Sequence, residues 1–265
     1  MREVRGQAPY PGLRTERRGA VGVVSLDRPE KRNALNQSIF TSLERYFSEV
    51  PDGVRAVLLQ GEGEHFSAGL DLSELKETSA AEGMAHSIVG HRSFDRVQFG
   101  TVPVVAVLRG AVVGGGLELA CAAHIRVAEA GAFYALPEGQ RGIFVGGGGS
   151  VRVPRIIGVA RMADMMLTGR VYSAEEGQSI GISQYLTPAG EGLKKGIELA
   201  QTIAGNAPLT NLAVMHALPR IAEASQDHGM FMEAMISGIA QSDPEAKRRM
   251  QAFLDKRAPK VKRSE

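Results

Sequence analysis

The stretch from residue 102 to residue 150 constrains the fold more than any other part of the sequence. It begins with the apolar run VPVVAVL, which predicts a buried strand, passes through three consecutive glycines at 114–116, and continues as LELACAA, whose composition favours a helix. Glycine lets the backbone approach a ligand closely, and a helix that begins there directs unpaired N–H groups and the positive end of its dipole to the same point. The stretch therefore predicts a place that stabilises developing negative charge.

Two glutamates accompany this strand–helix junction. Glu118 lies one turn inside the expected helix, and Glu138 follows in a loop that Pro137 and Gly139 punctuate. Two carboxyl groups beside a backbone site for negative charge suggest proton transfer to and from a bound molecule. Either glutamate taken alone is better interpreted as an exposed helix or loop residue, so the hypothesis depends on the whole arrangement.

The same order of strand, loop and helix occurs earlier in the chain. RAVLLQ at 55–60 predicts a buried strand, and GEGEHFSAGLDL at 61–72 leads from it toward another helix. Repetition of this unit predicts an α/β core in which parallel strands are joined by crossover helices. Helical segments dominate farther on, so we expect the α/β core over residues 1–195 and a helical domain over 196–265.

Composition excludes several classes of protein. The 31 basic residues nearly balance the 29 acidic residues, which gives no support to nucleic-acid binding. A single cysteine excludes an internal disulfide framework and a multi-cysteine zinc site, and the six histidines show no metal-ligand spacing. No run approaches the roughly 18 apolar residues of a membrane helix. We expect a soluble, cytoplasmic protein without a metal, membrane or nucleic-acid partner.

Two small-residue loops follow predicted core strands. They are HFSAGLDL at 65–72 and VVGGGLELA at 112–120. If the strands are neighbours, the N–H groups of Ala68 and Gly115 point at one carbonyl oxygen and stabilise an enolate, an effect for which each donor contributes about 10²–10³ in rate. The alternative is that the glycines only permit close helix packing. The nearby glutamates favour a site.

Five segments, in this order, resemble the crotonase (enoyl-CoA hydratase/isomerase) superfamily: DRPEKRNALN, HFSAGLDL, VVGGGLELA, ALPEGQRGI and MLTGRVYSAEEGQSIGI. The match runs from about Leu13 to the C-terminal helices. The resemblance implies a spiral of repeated ββα units and a C-terminal α-helical domain that assembles a homotrimer or a dimer of trimers. It also implies an acyl-CoA thioester substrate, with no cofactor because coenzyme A is part of that substrate.

The resemblance assigns roles to individual residues. By position, Ala68 and Gly115 match the oxyanion-hole pair of the family, and Glu118 and Glu138 match the two glutamates of its hydratases. This implies syn addition of water to a trans-2-enoyl-CoA, giving a 3-hydroxyacyl-CoA, with Glu118 as the base and Glu138 as the acid. Members with other activities often lack one or both glutamates.

The resemblance also implies contacts with coenzyme A. Lys31 and Arg32 are candidates for the phosphates, although exposed cations often form only a solvated surface. The remaining candidates are Ala34, Leu35, Ser67, Ala68, Asp71, Leu72, Phe253 and Lys256, of which the last two would reach coenzyme A from a neighbouring subunit. For Asp71, capping of the helix that begins at Leu72 is an equally good explanation.

Three other functions within the same superfamily remain as alternatives. The first is a hydratase that goes on to cleave phenylpropenoyl-CoA thioesters by a retro-aldol step, and the second is an enoyl-CoA isomerase. The third, a non-catalytic acyl-CoA- or RNA-binding relative, is disfavoured by the two glutamates. The sequence departs from the pattern of this family just before the glycine-rich loop at 146–149, where Val145 stands in place of the proline that many hydratases carry. This departure bears on the rigidity of the loop.

Overall fold

Nine β-strands lie within the residues that the computed structural model describes, which are 10–74 and 79–257. They are β1 (Leu13–Arg18), β2 (Val21–Leu26), β3 (Ala56–Gly61), β4 (Val104–Leu108), β5 (Ala111–Val113), β6 (Ile125–Glu129), β7 (Phe133–Ala135), β8 (Tyr172–Ser173) and β9 (Tyr185–Thr187). Strands β1, β2, β3, β4, β6 and β9 form one sheet in that order, and β5, β7 and β8 form a second. In the larger sheet β1 pairs with β2 antiparallel, whereas the other neighbours are parallel.

Ten α-helices lie within the same described residues. They are α1 (Gln37–Ser48), α2 (Ala80–Gln98), α3 (Gly115–Ala122), α4 (Gly149–Ile157), α5 (Val159–Thr168), α6 (Ala174–Ser179), α7 (Gly192–Ala204), α8 (Pro208–Glu223), α9 (Gln226–Ser242) and α10 (Pro244–Leu254). None of these helices combines the length and the apolar character needed to cross a membrane. The prediction of an α/β fold with a helical C-terminal region is confirmed.

The order of strand, strand and helix repeats along the chain and alternates between the two sheets. Strand β4 of the larger sheet is followed by β5 of the smaller sheet and then by α3, and β6 is followed by β7 and later by α4. Isolated parallel bridges extend the smaller sheet, joining Ser67 to Val112 and Leu35 to Leu70. The ββα repeats implied by the resemblance are therefore present, and they bring loops from successive repeats side by side.

The central strands β2, β3 and β4 of the larger sheet are buried on both faces. Alternate residues of β3 belong to different apolar clusters, Val57 and Leu59 to one and Ala56 and Leu58 to the other, as the two-residue period of a strand requires. A strand covered on both sides reads as a continuous apolar run, which explains why the segment contains no alternating polar residues at its centre. Helix α1 covers one of these faces.

Helix α7 covers the opposite face, so it belongs with the sheet and the domain boundary lies after it. A Cβ atom added to Gly196 would lie 2.6 Å from Val107 Cγ2 and 2.8 Å from Leu58 Cδ1, so the bare glycine backbone rests directly on the sheet. The chain divides into the compact units Met1–Ala204 and Gly205–Glu265. The boundary expected after residue 195 would cut α7, whereas the observed boundary follows this helix.

The second unit contains α8, α9 and α10. Proline occupies the first turn of α8 and of α10, where its missing N–H costs no helical hydrogen bond, and Asp243 caps α10 by accepting from the N–H groups of Glu245 and Ala246. Several large apolar side chains of α8 and α9 are exposed in the single chain, among them Leu218, Phe231 and Met235.

Candidate active site

The site begins at the turn between β5 and α3. Gly114 has φ +54°, and its N–H donates to Ala135 O at 2.9 Å, which places the turn beside the end of β7. The positive φ favours glycine at this position. Helix α3 starts at Gly115, and the first intrahelical hydrogen bond runs from Glu118 N to Gly114 O. The N–H groups of the first turn of α3 therefore have no partner within the helix, as the sequence predicts.

A second backbone donor, that of Leu70, lies beside Gly115. A Cβ atom added to Gly115 would be 3.6 Å from Leu70 N, and one added to Gly69 would be 3.3 Å from Gly115 N. In the described part of the chain, neither the Leu70 N–H nor the Gly115 N–H donates to a protein acceptor. Two adjacent, unpaired backbone donors form a place where a carbonyl oxygen can acquire negative charge.

The prediction that Ala68 supplies one of these donors is wrong. Its N–H donates to Arg32 O at 2.9 Å and is occupied. The reason is the parallel bridge between residues 35 and 70: Leu35 N–H donates to Gly69 O, and Asp71 N–H donates to Leu35 O. Backbone polar groups in an extended segment alternate in direction, so the Leu70 N–H points away from this bridge. The sequence contained no signal for this register.

Glu118 is buried and held by two backbone donors. Its Oε1 accepts from Gly147 N at 2.8 Å and from Gly149 N at 2.7 Å. Burial raises the pKa of Glu118 above the ordinary glutamate value, whereas the two N–H bonds and the charges of Arg152 and His91 oppose that rise. Fixing one carboxyl oxygen in this way determines the orientation of the other.

Glu138 follows β7 and is also buried, but its Oε2 has no hydrogen-bond partner in the described residues. A Cβ atom added to Gly114 would lie 2.7 Å from Glu138 Oε1, so this carboxyl group occupies the space that the glycine leaves. Burial raises the pKa of Glu138, and the negative charge of Glu118 raises it further, against its own backbone N–H and Arg141. The two carboxyl groups therefore titrate as a coupled pair.

A small cavity opens between the first glutamate and the aromatic side chains of α1 and α2. Its volume is about 50 Å³, and its lining includes Leu35, Phe40, Leu70, Phe94, Gly115 and Glu118. The rings of Phe40 and Phe94 lie 5.6 Å apart between centroids. Leu70 and Gly115, which carry the two unpaired N–H groups, thus line the same cavity as Glu118 and apolar side chains, and such a lining suits a polar group attached to a hydrocarbon chain.

Two of the residues predicted to contact coenzyme A, Ser67 and Asp71, help to build the loop before the site. Ser67 is buried, and its Oγ donates to Asn33 O and accepts from Gly69 N. Asp71 accepts from Ser73 Oγ–H and N–H and forms an ion pair with Arg28 at 3.0 Å, and these contacts lower the pKa of its carboxyl group. These contacts favour the capping explanation for Asp71. Leu72 is exposed.

The other candidates for coenzyme A contacts remain predictions. Lys31 and Arg32 are exposed, Ala34 is half-buried and Leu35 is fully buried. All four lie in the segment that leads to α1. Phe253 and Lys256 are exposed and belong to the helical unit.

Sequence reasoning missed two features of the site besides Leu70. Asn33 is fully buried, and its Nδ2 donates to the carbonyl oxygens of Glu62 and His65, which ties two loops together. The second feature is the pair of backbone donors at Gly147 and Gly149 that bind Glu118, for which the run of glycines at 146–149 is the only signal in the sequence. His65 has the expected structural role, since its Nδ1 accepts from Ala111 N. Among the described residues, no cluster of three or more His, Cys, Asp or Glu could hold a metal ion.

The fold and the site together bring two unpaired backbone N–H groups, those of Leu70 and Gly115, close to two buried carboxyl groups, those of Glu118 and Glu138. The family whose model matches the chain over residues 16–264 is enoyl-CoA hydratase/isomerase. The chain belongs to this family.

Individual relatives agree with the family match. The chain is 33% identical over 245 residues to the short-chain-enoyl-CoA hydratase of Clostridium acetobutylicum, covering 91% of this chain and 94% of that protein. The crystal structure of a "putative enoyl-CoA hydratase" from Rhodopseudomonas palustris CGA009 is 60% identical, with a TM-score of 0.90 over 92% of this chain and 95% of that one. An enoyl-CoA hydratase from Bacillus anthracis is 28% identical, with a TM-score of 0.87 over 94% and 98%.

Proposed function

We propose that this protein is an enoyl-CoA hydratase, which adds water to a trans-2-enoyl-CoA thioester and gives a 3-hydroxyacyl-CoA. The observation that carries the proposal is the meeting of two buried carboxyl groups, Glu118 and Glu138, with the unpaired N–H groups of Leu70 and Gly115. Hydration of an enoyl thioester needs these functions together, because negative charge gathers on the thioester oxygen while one proton leaves water and another reaches carbon.

The proposed reaction assigns one task to each group. The thioester oxygen accepts hydrogen bonds from Leu70 N–H and Gly115 N–H. Glu118 removes a proton from water as the water oxygen bonds to the β-carbon, and the π-electrons of the double bond move to form the enolate. Glu138 then donates its proton to the α-carbon on the same face, and the thioester carbonyl reforms. Proton exchange with solvent resets both carboxyl groups, and the reaction needs no cofactor beyond the coenzyme A of the substrate.

The electrostatics support this division of tasks. Burial and the negative charge of Glu118 both raise the pKa of Glu138, which favours its protonated form and suits it to donate. Glu118 receives two N–H donors at Oε1, and donors of this kind stabilise the ionised form that a base needs. Burial raises the pKa of both carboxyl groups, but the Gly147 and Gly149 N–H groups oppose that rise only at Glu118, and a difference of this kind suits the two groups to separate roles.

The cavity favours a short acyl chain. Its volume is about 50 Å³ and the rings of Phe40 and Phe94 form part of its wall, which supports a preference for short acyl chains. The cavity contacts Glu118 and Gly115, which places the start of the chain beside the proposed base. Binding of coenzyme A through the segment from Lys31 to Leu35 stays part of the proposal.

We extend the proposal to assembly as a homotrimer or a dimer of trimers. The exposed apolar side chains of α8 and α9, including Leu218, Phe231 and Met235, support it because a stable assembly would remove them from water. Light scattering that found a monomer at all accessible concentrations would contradict this extension without affecting the assignment of the reaction.

The test of the function is a panel of purified enoyl-CoA thioesters with product analysis. Loss of the enone absorbance of crotonyl-CoA, with formation of 3-hydroxybutyryl-CoA, is the expected result. A released aldehyde from an aromatic enoyl-CoA would indicate the hydratase/lyase activity instead, and movement of the double bond without uptake of water would indicate isomerisation. No reaction with any member of the panel would overturn the proposed function.

A further inference from the structure

One buried cation, Arg152 on α4, joins three parts of the molecule next to the proposed base. Its Nη1 donates to Gly147 O at 2.9 Å, its Nε donates to Gln98 Oε1 at 2.6 Å, and its Nη2 contacts Asp95 Oδ1 at 2.5 Å. Gln98 and Asp95 belong to the last part of α2. The guanidinium group therefore connects α2 and α4 to the loop that precedes α4.

This loop is the one that orients Glu118. The N–H groups of Gly147 and Gly149 hold Glu118 Oε1, while the carbonyl group of the same Gly147 accepts from Arg152. Gly148 lies between them with φ +90°, and a Cβ atom at this position would collide with Arg152 Nη1. The guanidinium group is thus packed against the loop backbone as well as bonded to it.

Glycine-rich backbone does not hold such a geometry by itself. Glycine loses more conformational freedom on folding than any other residue, and residues 146–149 are four glycines in succession. The loop must nevertheless keep the N–H groups of Gly147 and Gly149 aimed at one carboxyl oxygen. The Gly147 carbonyl group belongs to the peptide plane that lies between these two N–H groups along the chain, so holding this carbonyl group restrains the backbone on both sides. A planar cation with several fixed donors is well suited to restrain it.

Burial of Arg152 also demands a reason. The side chain is only 8% exposed, whereas the side chain of its carboxylate partner Asp95 is 56% exposed. An isolated surface pair of this kind contributes little to stability, and removing a guanidinium group from water is costly. Stability alone therefore does not explain why this guanidinium group is buried.

We propose that Arg152 is a positioning residue for the hydration reaction, fixing the Gly147 carbonyl group so that the N–H groups of Gly147 and Gly149 keep Glu118 in its reactive orientation. The proposal rests on the proposed function, since it concerns the same base. Arg152 acts through the loop and does not touch the substrate.

The charge of Arg152 gives the proposal a second measurable consequence. The charged and titratable groups near Glu118 are Arg152 from α4, His86 and His91 from α2, Cys121 from α3 and Glu138 from the segment after β7. Arg152 and His91 lower the pKa of Glu118 against the effect of burial. Loss of the cation therefore raises this pKa further, and the acidic limb of the pH–rate profile moves to higher pH.

Two substitutions separate geometry from charge. Arg152→Lys keeps the positive charge but loses the planar set of donors, so we expect kcat to fall about 10- to 100-fold, with KM nearly unchanged and the acidic limb in place. Arg152→Ala loses both, so we expect a similar or larger fall in kcat together with the shift of the acidic limb. Added guanidinium ion should restore part of the activity of Arg152→Ala. Arg155→Lys, on the same helix but exposed, is the matched control and should behave like the wild type.

A measurement without turnover keeps the two proposals distinguishable. In the wild type, the amide resonances of Gly147 and Gly149 should follow the ionisation of Glu118 as pH changes, and in Arg152→Lys they should lose this response while the remaining amide spectrum stays folded. Unchanged kcat in Arg152→Lys, or amide responses equal to those of the wild type, would overturn the positioning role. An inactive wild type with the expected amide response would overturn only the proposed function. If Arg152→Ala fails to fold, Arg152→Lys alone decides.

Discussion

The two glutamates of the site are both buried, but they differ in the hydrogen bonds that their carboxyl oxygens accept. Glu118 receives two backbone donors at Oε1, from Gly147 and Gly149, and lines the apolar cavity. Glu138 has an Oε2 without a partner in the described residues, and it lies against the bare backbone of Gly114. Burial alone would give both groups the same tendency to stay neutral. In the proposed mechanism, the two backbone donors at Glu118 are what distinguish the base from the acid.

The largest expected effect comes from removing either carboxyl group. Glu118→Gln and Glu138→Gln should each lower kcat for crotonyl-CoA by about 10²–10⁴-fold, because positioned proton transfer contributes that much. The double variant should be little worse than the poorer single variant, since the two groups act as a unit. Steady-state hydration rates give these values, and circular dichroism confirms folding. Near-wild-type turnover in both single variants would remove the glutamates from the mechanism.

A clash at the backbone beside Glu138 should have the next largest effect. Gly114→Ala places a Cβ atom 2.7 Å from Glu138 Oε1, and we expect kcat to fall about 10²-fold because the carboxyl group must move. Gly131→Ala is the matched control, since Gly131 also has positive φ but nothing within 4 Å of the added atom. Both variants incur the backbone strain, but only the first displaces the acid. Equal losses of activity in the two variants would show that strain alone is responsible.

Enlarging the cavity should change substrate preference on the Glu118 side of the site. Phe94→Leu shortens a fully buried ring that lines the cavity, so we expect kcat/KM for a six- or eight-carbon enoyl-CoA to rise about 10-fold relative to crotonyl-CoA. Competition between thioesters of different length measures this ratio directly. Phe47→Leu provides a control, because Phe47 is equally buried in the same core but does not line the cavity. An unchanged ratio in Phe94→Leu would locate the acyl chain elsewhere.

The smallest expected effect is on stability. A carboxyl group with a raised pKa in the folded state binds more protons when folded than when unfolded. Its contribution to the free energy of unfolding therefore falls as pH rises above the ordinary glutamate pKa of about 4.3. Glu138→Gln should therefore raise Tm modestly at about pH 8 and leave it nearly unchanged at about pH 4. Glu118→Gln should gain less, because the ionised Glu118 accepts two N–H donors that an amide oxygen accepts less strongly. Equal increases in the Tm of the two variants would show that the two N–H donors at Glu118 do not stabilise its ionised form.

The sequence predicted the parts of this site that depend on local patterns. The apolar runs indicated the buried strands, the glycines indicated the start of α3, and the positions of Glu118 and Glu138 followed from motifs that resemble one family. These predictions succeeded because strand burial, helix initiation and short motifs are encoded in neighbouring residues.

The features that sequence reasoning missed depend on register and on packing between distant segments. The choice of Leu70 rather than Ala68 follows from the bridge between residues 35 and 70, which no local pattern announces. The domain boundary moved because α7 rests on the larger sheet through Gly196, and its amphipathic composition resembles that of the helices beyond it. The role of Arg152 required knowing which carbonyl group lies within reach of its guanidinium group.

The most direct test of the account is exchange of the α-protons of butyryl-CoA with D₂O, followed by NMR. This saturated thioester has no double bond to hydrate, so exchange requires the oxyanion site and the group that faces the α-carbon, but not the group that activates water. We expect exchange in the wild type, its loss by about 10²-fold or more in Glu138→Gln, and rates within a few-fold of wild type in Glu118→Gln. Loss of exchange in Glu118→Gln with retention in Glu138→Gln would reverse the assignment of the two glutamates and contradict the account.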